Sequence, residues 1–420
     1  MLDKQFIRQH PDQVRLAARV KGVDLDVDAL LDVDRSVRQL QHELNEGLAR
    51  RRLLTERFAR AEDGERALLR QESAALGERV AAGRAALAAA EEQLNAMLLA
   101  VPGIPWSGAP IGPDESANEV VRTWGTPTAF DFPALDHVEM AERRGWADFG
   151  RARTAAGERA YLLKGDLVLL ERAVHAYALD LLVARDFTPM AVPAIVRESA
   201  LVGTGMFPKG RDETYELPAD GMFLAGTAEV ALVGMHSGEI LAHTDLPLRY
   251  AGSSPCFRNE IGSAGRDVRG LLRVHQFQKV EQFVICAADE AESARWHEAL
   301  LETAELILRE LELPYQVVEC ATGDMGLGKF RMNDINTWFP SLGRYRETHS
   351  CSTLHDWQAR RANIRYRDAD GRIRYAHTLN NTAVATPRLL AALLENHQTA
   401  SAEVRIPPVL RPYLNGRDRL

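Results

Sequence analysis

Residues 249–285 read RYAGSSPCFRNEIGSAGRDVRGLLRVHQFQKVEQFVI, and they indicate the fold class most directly. It holds two runs of β-forming residues with a basic, glycine-containing segment between them. Runs of this composition, bounded by turn residues, predict two strands joined by a loop. We therefore expect this stretch to form part of a sheet.

The charged residues of the two predicted strands fall on a regular spacing. Arg258 and Glu260 are two residues apart, and Arg273, Phe277 and Glu281 follow one another at intervals of four. Because strand side chains alternate between two faces, each set lies on one face. Charges on such a face are costly to bury without partners, and guanidinium groups, a ring and carboxylates suit a nucleotide bound beside an amino acid. A solvated hairpin with salt-bridged charges fits the same pattern.

The composition limits the class of protein. The chain has 420 residues, 46% hydrophobic and 26% charged, values typical of a globular protein with two or three domains. The net charge of −8 argues against a generally basic nucleic-acid-binding surface, so RNA contact requires a local patch. No run reaches the roughly 18 apolar residues of a membrane span, and the amino terminus lacks an apolar signal segment. We expect a cytoplasmic protein that binds neither membrane nor DNA.

The cysteines predict neither a disulfide framework nor a metal site. There are four, they lie far apart, and none forms a CxxC pair. Reduced thiols are therefore expected. They are Cys256, Cys286, Cys320 and Cys351.

Residues 27–100 have the pattern of two long helices. Apolar and small residues recur at alternating spacings of three and four, and the repeat breaks at 62–65. This predicts two heptad helices joined by a hinge, most simply an antiparallel coiled-coil hairpin about 45 Å long. The seam positions are Leu30, Val33, Val37, Leu40, Leu44, Leu54, Phe58 and Ala61, then Leu69, Ser73, Leu76, Val80, Gly83, Leu87, Ala90, Leu94 and Met97.

Arginines cluster around the predicted hinge of this arm. A solvated helix surface explains such a cluster by itself. On a protein of net negative charge, a basic tip also suits contact with a phosphate backbone. The arginines are Arg50, Arg51, Arg52, Arg57, Arg60, Arg66 and Arg70.

A proline- and glycine-rich segment, VPGIPWSGAPIGPD at 101–114, ends the arm and marks a domain boundary. We expect an amino-terminal domain over residues 1–104 and a mixed α+β domain over residues 105–420.

In the second domain, residues 166–184 predict a helix that leads into FTPMAVPAIV. Pro189 and Pro193 confine that strand to an edge or a special position, since proline donates no ladder hydrogen bond.

Four ordered stretches resemble the seryl-tRNA synthetases, a family of class II aminoacyl-tRNA synthetases. FRNE followed by RVHQFQKVEQF resembles motif 2, and GTAEVAL at 226–232, RYRETHSCS at 344–352 and HTLNNTAVATPRLLAALLENHQ at 377–398 agree with it. The resemblance covers essentially the whole chain. It implies an α+β fold with a class II antiparallel sheet flanked by helices and an amino-terminal antiparallel coiled-coil arm.

The resemblance implies serine–tRNA ligase activity. Serine and ATP would give seryl-adenylate, and the seryl group would pass to tRNA(Ser), with tRNA(Sec) as a further expected acceptor. The arm would grip the long variable arm of the tRNA through Arg50, Arg51, Arg52, Arg57, Arg60 and Arg66. Residues 166–184 and the strand with Pro193 resemble motif 1, which forms the homodimer interface of the class; a buried core helix with an ordinary edge strand fits the same sequence.

For ATP, the resemblance implies that Arg258 binds the α-phosphate and the amino-acid carboxylate together. Glu260 would accept a hydrogen bond from the adenine amino group, and Phe277 would stack on the base. Arg258, Glu260 and Arg388 are the expected catalytic residues. The full expected ATP set is Arg258, Asn259, Glu260, Arg273, Val274, Phe277, Glu347, Thr348, His349, Ser350 and Arg388.

For serine, the resemblance implies carboxylate and hydroxyl partners for the ammonium and hydroxyl groups. We expect Glu281 with Thr382 at the hydroxyl, and Thr227 with Glu229 near the ammonium. The full expected set is Thr227, Ala228, Glu229, Arg258, Glu281, Asn380 and Thr382. A lone TAE is more commonly a helix start than a ligand.

Glu347 and Ser350 resemble the magnesium ligands of the family, a donor set that suits a hard ion. Taken alone, Glu347 beside two arginines is also a plausible ion pair. Thr386 is expected to cap a helix whose first residue is Pro387, which places Arg388 in the opening turn. A cation there opposes the helix dipole unless an anion binds as well, and the γ-phosphate of ATP is the natural anion.

One segment departs from the family pattern. Residues 381–386 read NTAVAT where many members carry glycines and a serine. Two other functions fit part of the sequence. A ligase that loads a carrier protein would not need the basic arm, and a catalytically silent coiled-coil binding protein would not need Arg258, Glu281, Glu347 and Arg388.

Overall fold

The structure is a computed structural model that describes residues 1–260 and 269–420, except the side chain of Asp63. The loop predicted between the motif 2 strands falls largely on residues 261–268, outside the described residues. The chain divides into two compact units. One holds residues 2–19 and 23–102, and the other holds residues 1, 20–22 and 103–420.

The first unit consists of four helices: α1 (Lys4–Gln9), α2 (Pro11–Val20), α3 (Val27–Arg60) and α4 (Asp63–Ala100). The Asp26 side chain caps α3 by accepting from the amide of Ala29. The helices α3 and α4 contain 34 and 38 residues, so they extend for about 51 and 57 Å at 1.5 Å per residue.

The two long helices pack against each other, as the heptad repeat predicts. Five seam residues form a buried cluster. The break between the helices is at Ala61 and Glu62, so it begins one residue before the predicted hinge at 62–65 and is shorter than predicted. A Cβ atom at Gly47 would lie 3.1 Å from Cγ2 of Val80, so a small residue here permits close approach of the helices. The cluster is Leu54, Ala61, Leu69, Leu76 and Val80.

The second unit is built on a sheet of eight strands. Neighbouring strands are antiparallel except for one parallel pair at an edge. In spatial order the strands are β1 (Glu119–Trp124), β9 (Tyr315–Glu319), β10 (Arg331–Phe339), β11 (Arg344–His355), β14 (His377–Thr386), β8 (Gln276–Cys286), β7 (Leu248–Phe257) and β2 (Thr188–Ala191).

Two small three-stranded sheets accompany the large one. The first contains β3 (Ile195–Arg197), β4 (Glu216–Leu217) and β5 (Met222–Leu224), and the second contains β6 (Ile240–Ala242), β12 (Arg365–Arg367) and β13 (Ile373–Tyr375). The helices of this unit are α5 (His137–Arg143), α6 (Phe149–Ala156), α7 (Asp166–Ala184), α8 (Glu198–Thr204), α9 (Glu229–Met235), α10 (Glu290–Glu310), α11 (Trp357–Ala362) and α12 (Arg388–His397).

Apolar residues cover both faces of the large sheet. Val280 and Val284 of β8 belong to the main core with residues of α7, α10 and α12. Phe283 and Ile285, which alternate with them, pack with residues of α9 and α11 in a second cluster. The predicted α+β architecture with helices flanking an antiparallel sheet and a helical arm is therefore confirmed.

The predicted helix of the motif 1 region is confirmed, whereas the predicted strand is divided into β2 and β3, with Pro193 between the two. The helix α7 has the predicted bounds, and β2, which contains Pro189, is the edge strand and pairs in parallel with β7 alone. Within residues 1–260 and 269–420, no helix combines the length and apolar character that crossing a membrane requires.

Candidate active site

The strand β8 carries the central residues of the candidate site. Phe277, Lys279 and Glu281 alternate with core residues and so lie on the face that also presents Phe283. The ring and the carboxylate therefore share one face, as their spacing predicts. Lys279 lies between them and was not among the predicted site residues.

A buried polar cluster surrounds Glu281, whose side chain is 1% exposed. The ammonium of Lys279 forms an ion pair with Glu281 and donates to Oγ1 of Thr227 at 2.7 Å. Nδ2 of Asn380 donates to the second carboxylate oxygen of Glu281 at 3.2 Å. Thr382 lies directly opposite Glu281 in the register of β14 and β8. Residues far apart in sequence thus meet at one carboxylate.

Glu229, the first residue of α9, is a second buried carboxylate near this cluster. Nε2 of Gln358 donates to it at 2.6 Å. Burial and the charge of Glu281 raise the pKa of Glu229. Ala228, immediately before the helix, is buried. The pocket therefore holds two carboxylates in different surroundings, and Gln358 is a second site residue that sequence reasoning missed.

Arg258 lies at the other end of the Phe277 to Glu281 row. Its guanidinium carbon is 5.3 Å from the centre of the Phe277 ring, and its Nε donates to the carbonyl of Gly226 at 3.4 Å. Its backbone amide donates to the carbonyl of His275 at 2.9 Å, so pairing continues just beyond β7 and β8. Arg258 and Glu281 thus lie at opposite ends of a row that Phe277 and Lys279 occupy.

Three charged residues predicted to lie on strands lie outside them. Arg258 and Glu260 follow β7, and Arg273 precedes β8. Glu260 has a φ of +49°, in the left-handed region, which interrupts the alternation of a strand. An ion pair between Glu260 and Arg273 nevertheless joins the two segments. Arg159, which the sequence did not single out, donates to the backbone carbonyl of Glu260.

Two neighbouring residues differ in what their side chains can offer. Nδ2 of Asn259 donates to the carbonyl of Asp212 at 3.1 Å, whereas Val274, two residues before β8, is apolar and buried. Any contact of Val274 with a nucleotide would involve its main chain.

Arg388 and Glu347 meet at the end of the site near α12. Nη1 of Arg388 donates to the carbonyl of Glu347 at 2.6 Å and lies 3.4 Å from its carboxylate, while Nε donates to the carbonyl of Leu272. By contrast, Thr348 and His349 bond into the interior: their side chains lie 2.8 Å apart, and Nε2 of His349 contacts the carbonyl of Ala383 at 3.0 Å. Thr348 and His349 are thus placed to offer main-chain groups.

The predicted cap of α12 is wrong. Arg388 is the first residue of the helix, and Pro387 is its N-cap. The hydroxyl of Thr386 instead donates to Glu171 at 2.8 Å and contacts His175 at 3.0 Å. Thr386 therefore bonds to side chains of α7 and does not cap α12.

Two buried side-chain oxygen atoms without hydrogen-bond partners in the described part of the chain lie near Glu347. Oγ of Ser350 and Oδ1 of Asp334 are buried and have no hydrogen-bond partner among the described residues. Asp334 of β10 is paired in register with Ser350 of β11. Burial and the nearby charge of Glu347 raise the pKa of Asp334 to about 8. This group of oxygen atoms could hold a hard cation.

Two family profiles match the sequence. Residues 215–397 match the tRNA synthetase class II core domain (G, H, P, S and T), and residues 1–105 match the seryl-tRNA synthetase N-terminal domain. A serine–tRNA ligase of Deinococcus radiodurans is 51% identical over 420 residues, which span 100% of this chain and 99% of that protein. The chain belongs to the seryl-tRNA synthetase family. A second serine–tRNA ligase, of Thermomicrobium roseum, is 43% identical over 423 residues, covering 100% of this chain and 95% of that protein.

Solved structures agree with this seryl-tRNA synthetase assignment. The crystal structure of seryl-tRNA synthetase from Pyrococcus horikoshii complexed with ATP superposes with a TM-score of 0.92 at 36% identity, over 100% of this chain and 99% of that chain. A prolyl-tRNA synthetase of Giardia lamblia, at 18% identity and a TM-score of 0.58 over 66% of this chain and 56% of its own, shares the fold. As a member of the seryl-tRNA synthetase family, the chain is a serine–tRNA ligase that uses ATP.

The arm of this seryl-tRNA synthetase carries the predicted basic residues near its hinge. Among the described side chains, three of these arginines form ion pairs with glutamates: Arg50 with Glu72 at 2.9 Å, Arg52 with Glu56 at 3.3 Å and Arg57 with Glu65 at 2.7 Å. Arg51 and Arg60 are exposed, and neither forms an ion pair with a side chain that the structure describes. Arg66 is half-buried, and Arg70 lies over the ring of Phe58.

Proposed function

We propose that the face of β8 and its surroundings bind ATP and L-serine side by side for the first step of the ligase reaction. The observation that carries this is the row from Phe277 through Lys279 to Glu281 on one face, with Arg258 beside the ring. An aromatic ring suits the base, and a buried carboxylate suits a small hydroxylated amino acid. Seryl-adenylate and pyrophosphate are the products.

Positioning and charge stabilisation supply the catalysis in this proposal, since little covalent chemistry is asked of the protein. Arg258 holds the α-phosphate and the serine carboxylate together, so the attacking oxygen faces phosphorus. Arg388 neutralises the γ-phosphate at the start of α12. Glu260, held by Arg273, accepts from the adenine amino group, with Asn259, Val274, Thr348 and His349 lining the nucleotide by main-chain contacts.

Serine selection rests on the cluster around Glu281. The serine hydroxyl donates to Glu281 and bonds Thr382, while Glu229 binds the ammonium and Asn380 orients Glu281. A pocket built to bond a hydroxyl rejects an analogue that lacks it by about 10⁴ to 10⁵. Alanine is therefore a poor substrate, and threonine is excluded by shape.

Glu347 and Ser350 are the proposed Mg²⁺ ligands. Unpartnered oxygen atoms at Ser350 and Asp334, beside an exposed carboxylate, fit a cation that prefers oxygen ligands and retains waters. Bound Mg²⁺ would neutralise charge on the ATP phosphates.

The second step transfers the seryl group to the terminal ribose of tRNA(Ser), and we include tRNA(Sec) as an acceptor. Residues 1–104 form the proposed tRNA-binding domain and residues 105–420 the catalytic domain. The arm contacts the phosphates of the long variable arm through Arg50, Arg51, Arg52, Arg57, Arg60 and Arg66. The protein acts in the cytoplasm as a homodimer joined through α7 and the strand that follows it.

Amino-acid-dependent exchange of pyrophosphate into ATP tests the substrate assignment. With a panel of amino acids at equal concentration, we expect exchange with serine and almost none with alanine, glycine or threonine. Serine no better than alanine would refute the assignment of the pocket. Removal of free Mg²⁺ by a chelator should abolish exchange.

A further inference from the structure

Lys279 places a buried ammonium beside the proposed serine pocket. Its side chain is 7% exposed, and it contacts the carboxylate of Glu281 and the hydroxyl of Thr227. No role for it follows from the sequence patterns. A buried ammonium is costly unless it is fully partnered, so its presence here calls for a reason.

We propose that Lys279 is a positioning residue that fixes the hydrogen-bond polarity and the net charge of the serine pocket. The inference rests on the proposed function, because it concerns how that pocket recognises its substrate.

The first argument concerns Thr227. A hydroxyl oxygen has two lone pairs and one hydrogen. Oγ1 of Thr227 accepts from Lys279 at 2.7 Å and from the backbone amide of Glu229 at 3.3 Å, so both lone pairs are engaged. Its hydrogen is therefore the only group it can offer. Oε2 of Glu281 accepts this hydrogen at 3.5 Å, the longest distance of a hydrogen bond. The hydroxyl hydrogen of Thr227 is therefore available to an acceptor that lies closer.

This polarity changes the role expected of Thr227. A donor hydroxyl repels the serine ammonium, which is also a donor, and suits an oxygen of serine. Glu229 therefore takes the ammonium, and Thr227 donates to a serine oxygen. Lys279 imposes this division, since without it the Thr227 hydroxyl regains a free lone pair.

The second argument concerns charge. Glu229 and Glu281 together bring two negative charges when ionised, and Lys279 brings one positive charge. The remaining charge of −1 matches the single ammonium of serine, whose carboxylate pairs with Arg258. Without Lys279, one carboxylate would lack compensation in a buried site, and a proton or a second cation would have to enter with the substrate.

The test compares Lys279→Met, Lys279→Gln and Lys279→Arg in the full chain by serine-dependent pyrophosphate exchange. For Lys279→Met we expect the KM for serine to rise about 10²-fold while the KM for ATP stays within about threefold, since losing one partner of a buried ion pair is strongly unfavourable. Lys279→Arg retains the charge and should recover at least a tenth of the wild-type kcat/KM for serine. Lys279→Gln retains a donor for Thr227 without the charge and should fall between them.

The pH profile gives a readout that a structural role would not move. The charged groups that act on Glu229 are Glu281, which raises its pKa, and Lys279 and Lys329, which lower it. Removing Lys279 should shift the acid limb of kcat/KM for serine to higher pH in the Met and Gln variants and not in the Arg variant. An acid limb that stays fixed in both variants would overturn the proposal.

Lys21→Met is the matched control. Lys21 is similarly buried, at 7% exposed, and its ammonium donates to the carbonyls of Gly326, Leu327 and Lys329. It should lower thermal stability without raising the KM for serine relative to that for ATP. Equal losses for serine and ATP in the Lys279 variants would overturn the inference. Wild-type protein that exchanges with another amino acid in place of serine would instead refute the proposed function, whatever the variants do.

Discussion

Single residues decide how the proposed pocket responds to pH. Glu281 has Lys279 and Asn380 as partners, whereas Glu229 has the neutral Gln358, and the pKa of Glu229 is raised by burial and by Glu281. Two carboxylates with the same chemistry therefore differ because of their neighbours.

The pH dependence of serine use should follow Glu229. Because its pKa is raised, Glu229 takes up a proton at a higher pH than an ordinary carboxyl group as the pH falls. It then loses the charge that attracts the serine ammonium, so kcat/KM for serine should drop on the acid side. Glu229→Gln should lower kcat/KM at neutral pH and remove this limb, so that the two profiles converge at low pH. A Glu229→Gln profile with the wild-type acid limb would contradict the assignment; the measurement is exchange between pH 5 and 8.

Glu281→Gln tests the hydroxyl contact. The amide keeps the shape but leaves Lys279 without a counterion, so the KM for serine should rise by about 10² to 10³ while ATP binding changes little. Glu305→Gln is the control, since Glu305 is equally enclosed and paired with Arg122 away from β8. If both variants lose serine and ATP binding alike, Glu281 has no specific role.

At the scale of elements, the basic cluster of the arm contains arginines that form ion pairs and arginines that do not. Arg50, Arg52 and Arg57 pair with glutamates, whereas Arg51 and Arg60 remain exposed without an ion pair among the described side chains. A phosphate gains most from a cation that has no competing carboxylate.

Arg51→Ala with Arg60→Ala should therefore raise the KM for tRNA about tenfold and reduce its salt dependence, while serine-dependent exchange stays unchanged. Arg35→Ala, an exposed change at the opposite end of α3, is the control and should leave aminoacylation intact. Equal effects of the two changes would argue against contact at the hinge. Filter binding at two salt concentrations provides the measurement.

The exposed apolar residues of α7 provide a test of the proposed homodimer. Leu169 and Val183 are 43% and 48% exposed and lie 14 residues apart, four turns along one side of the helix. Leu169→Glu with Val183→Glu should convert the proposed dimer into monomers, because two charges would be buried in the interface. Light scattering measures the mass, and Leu16→Glu on α2 is the control. A wild-type monomer, or a double variant that stays dimeric, would contradict an interface at α7.

At the scale of the whole molecule, buried neutral histidines couple stability to pH. Burial lowers the pKa of five histidines from 6.5 to about 4: His175, His297, His349, His377 and His397. Between pH 4 and 6.5 the unfolded chain binds more protons than the folded one at these positions, so their stabilising effect is complete above pH 6.5 and is lost as the pH falls.

Urea unfolding should therefore show lower stability at pH 5 than at pH 7, by roughly 1–2 kcal/mol for each such histidine. The raised pKa of Asp334 acts in the opposite direction and offsets part of the loss. Tryptophan fluorescence reports the second unit, since all six tryptophans lie in residues 103–420. His297→Gln should reduce the difference between the two pH values, and exposed His42→Gln should not; equal stability of the wild type at both pH values would contradict the effect.

Local patterns in the sequence predicted two long helices, an edge strand and the face of β8 that carries the candidate site. The heptad seam predicted α3 and α4, the prolines predicted an edge strand, and alternation along β8 placed Phe277 and Glu281 on one face, because each of these properties depends on residues a few positions apart. The prediction that Glu260 and Arg273 lie on these strands was wrong, since Glu260 follows β7 and Arg273 precedes β8.

The side chains that meet in the site are brought together by long-range packing. Lys279 reaches Thr227 across 52 positions, Gln358 reaches Glu229 across 129, and Thr386 turns to Glu171 rather than capping α12. The order of strands in the sheet brings these groups together, and no short-range pattern encodes that order. Local sequence thus accounts for the elements and the faces they present. Long-range packing set the charge and polarity of the pocket, because a buried ionisable group responds to whatever lies within a few ångströms of it.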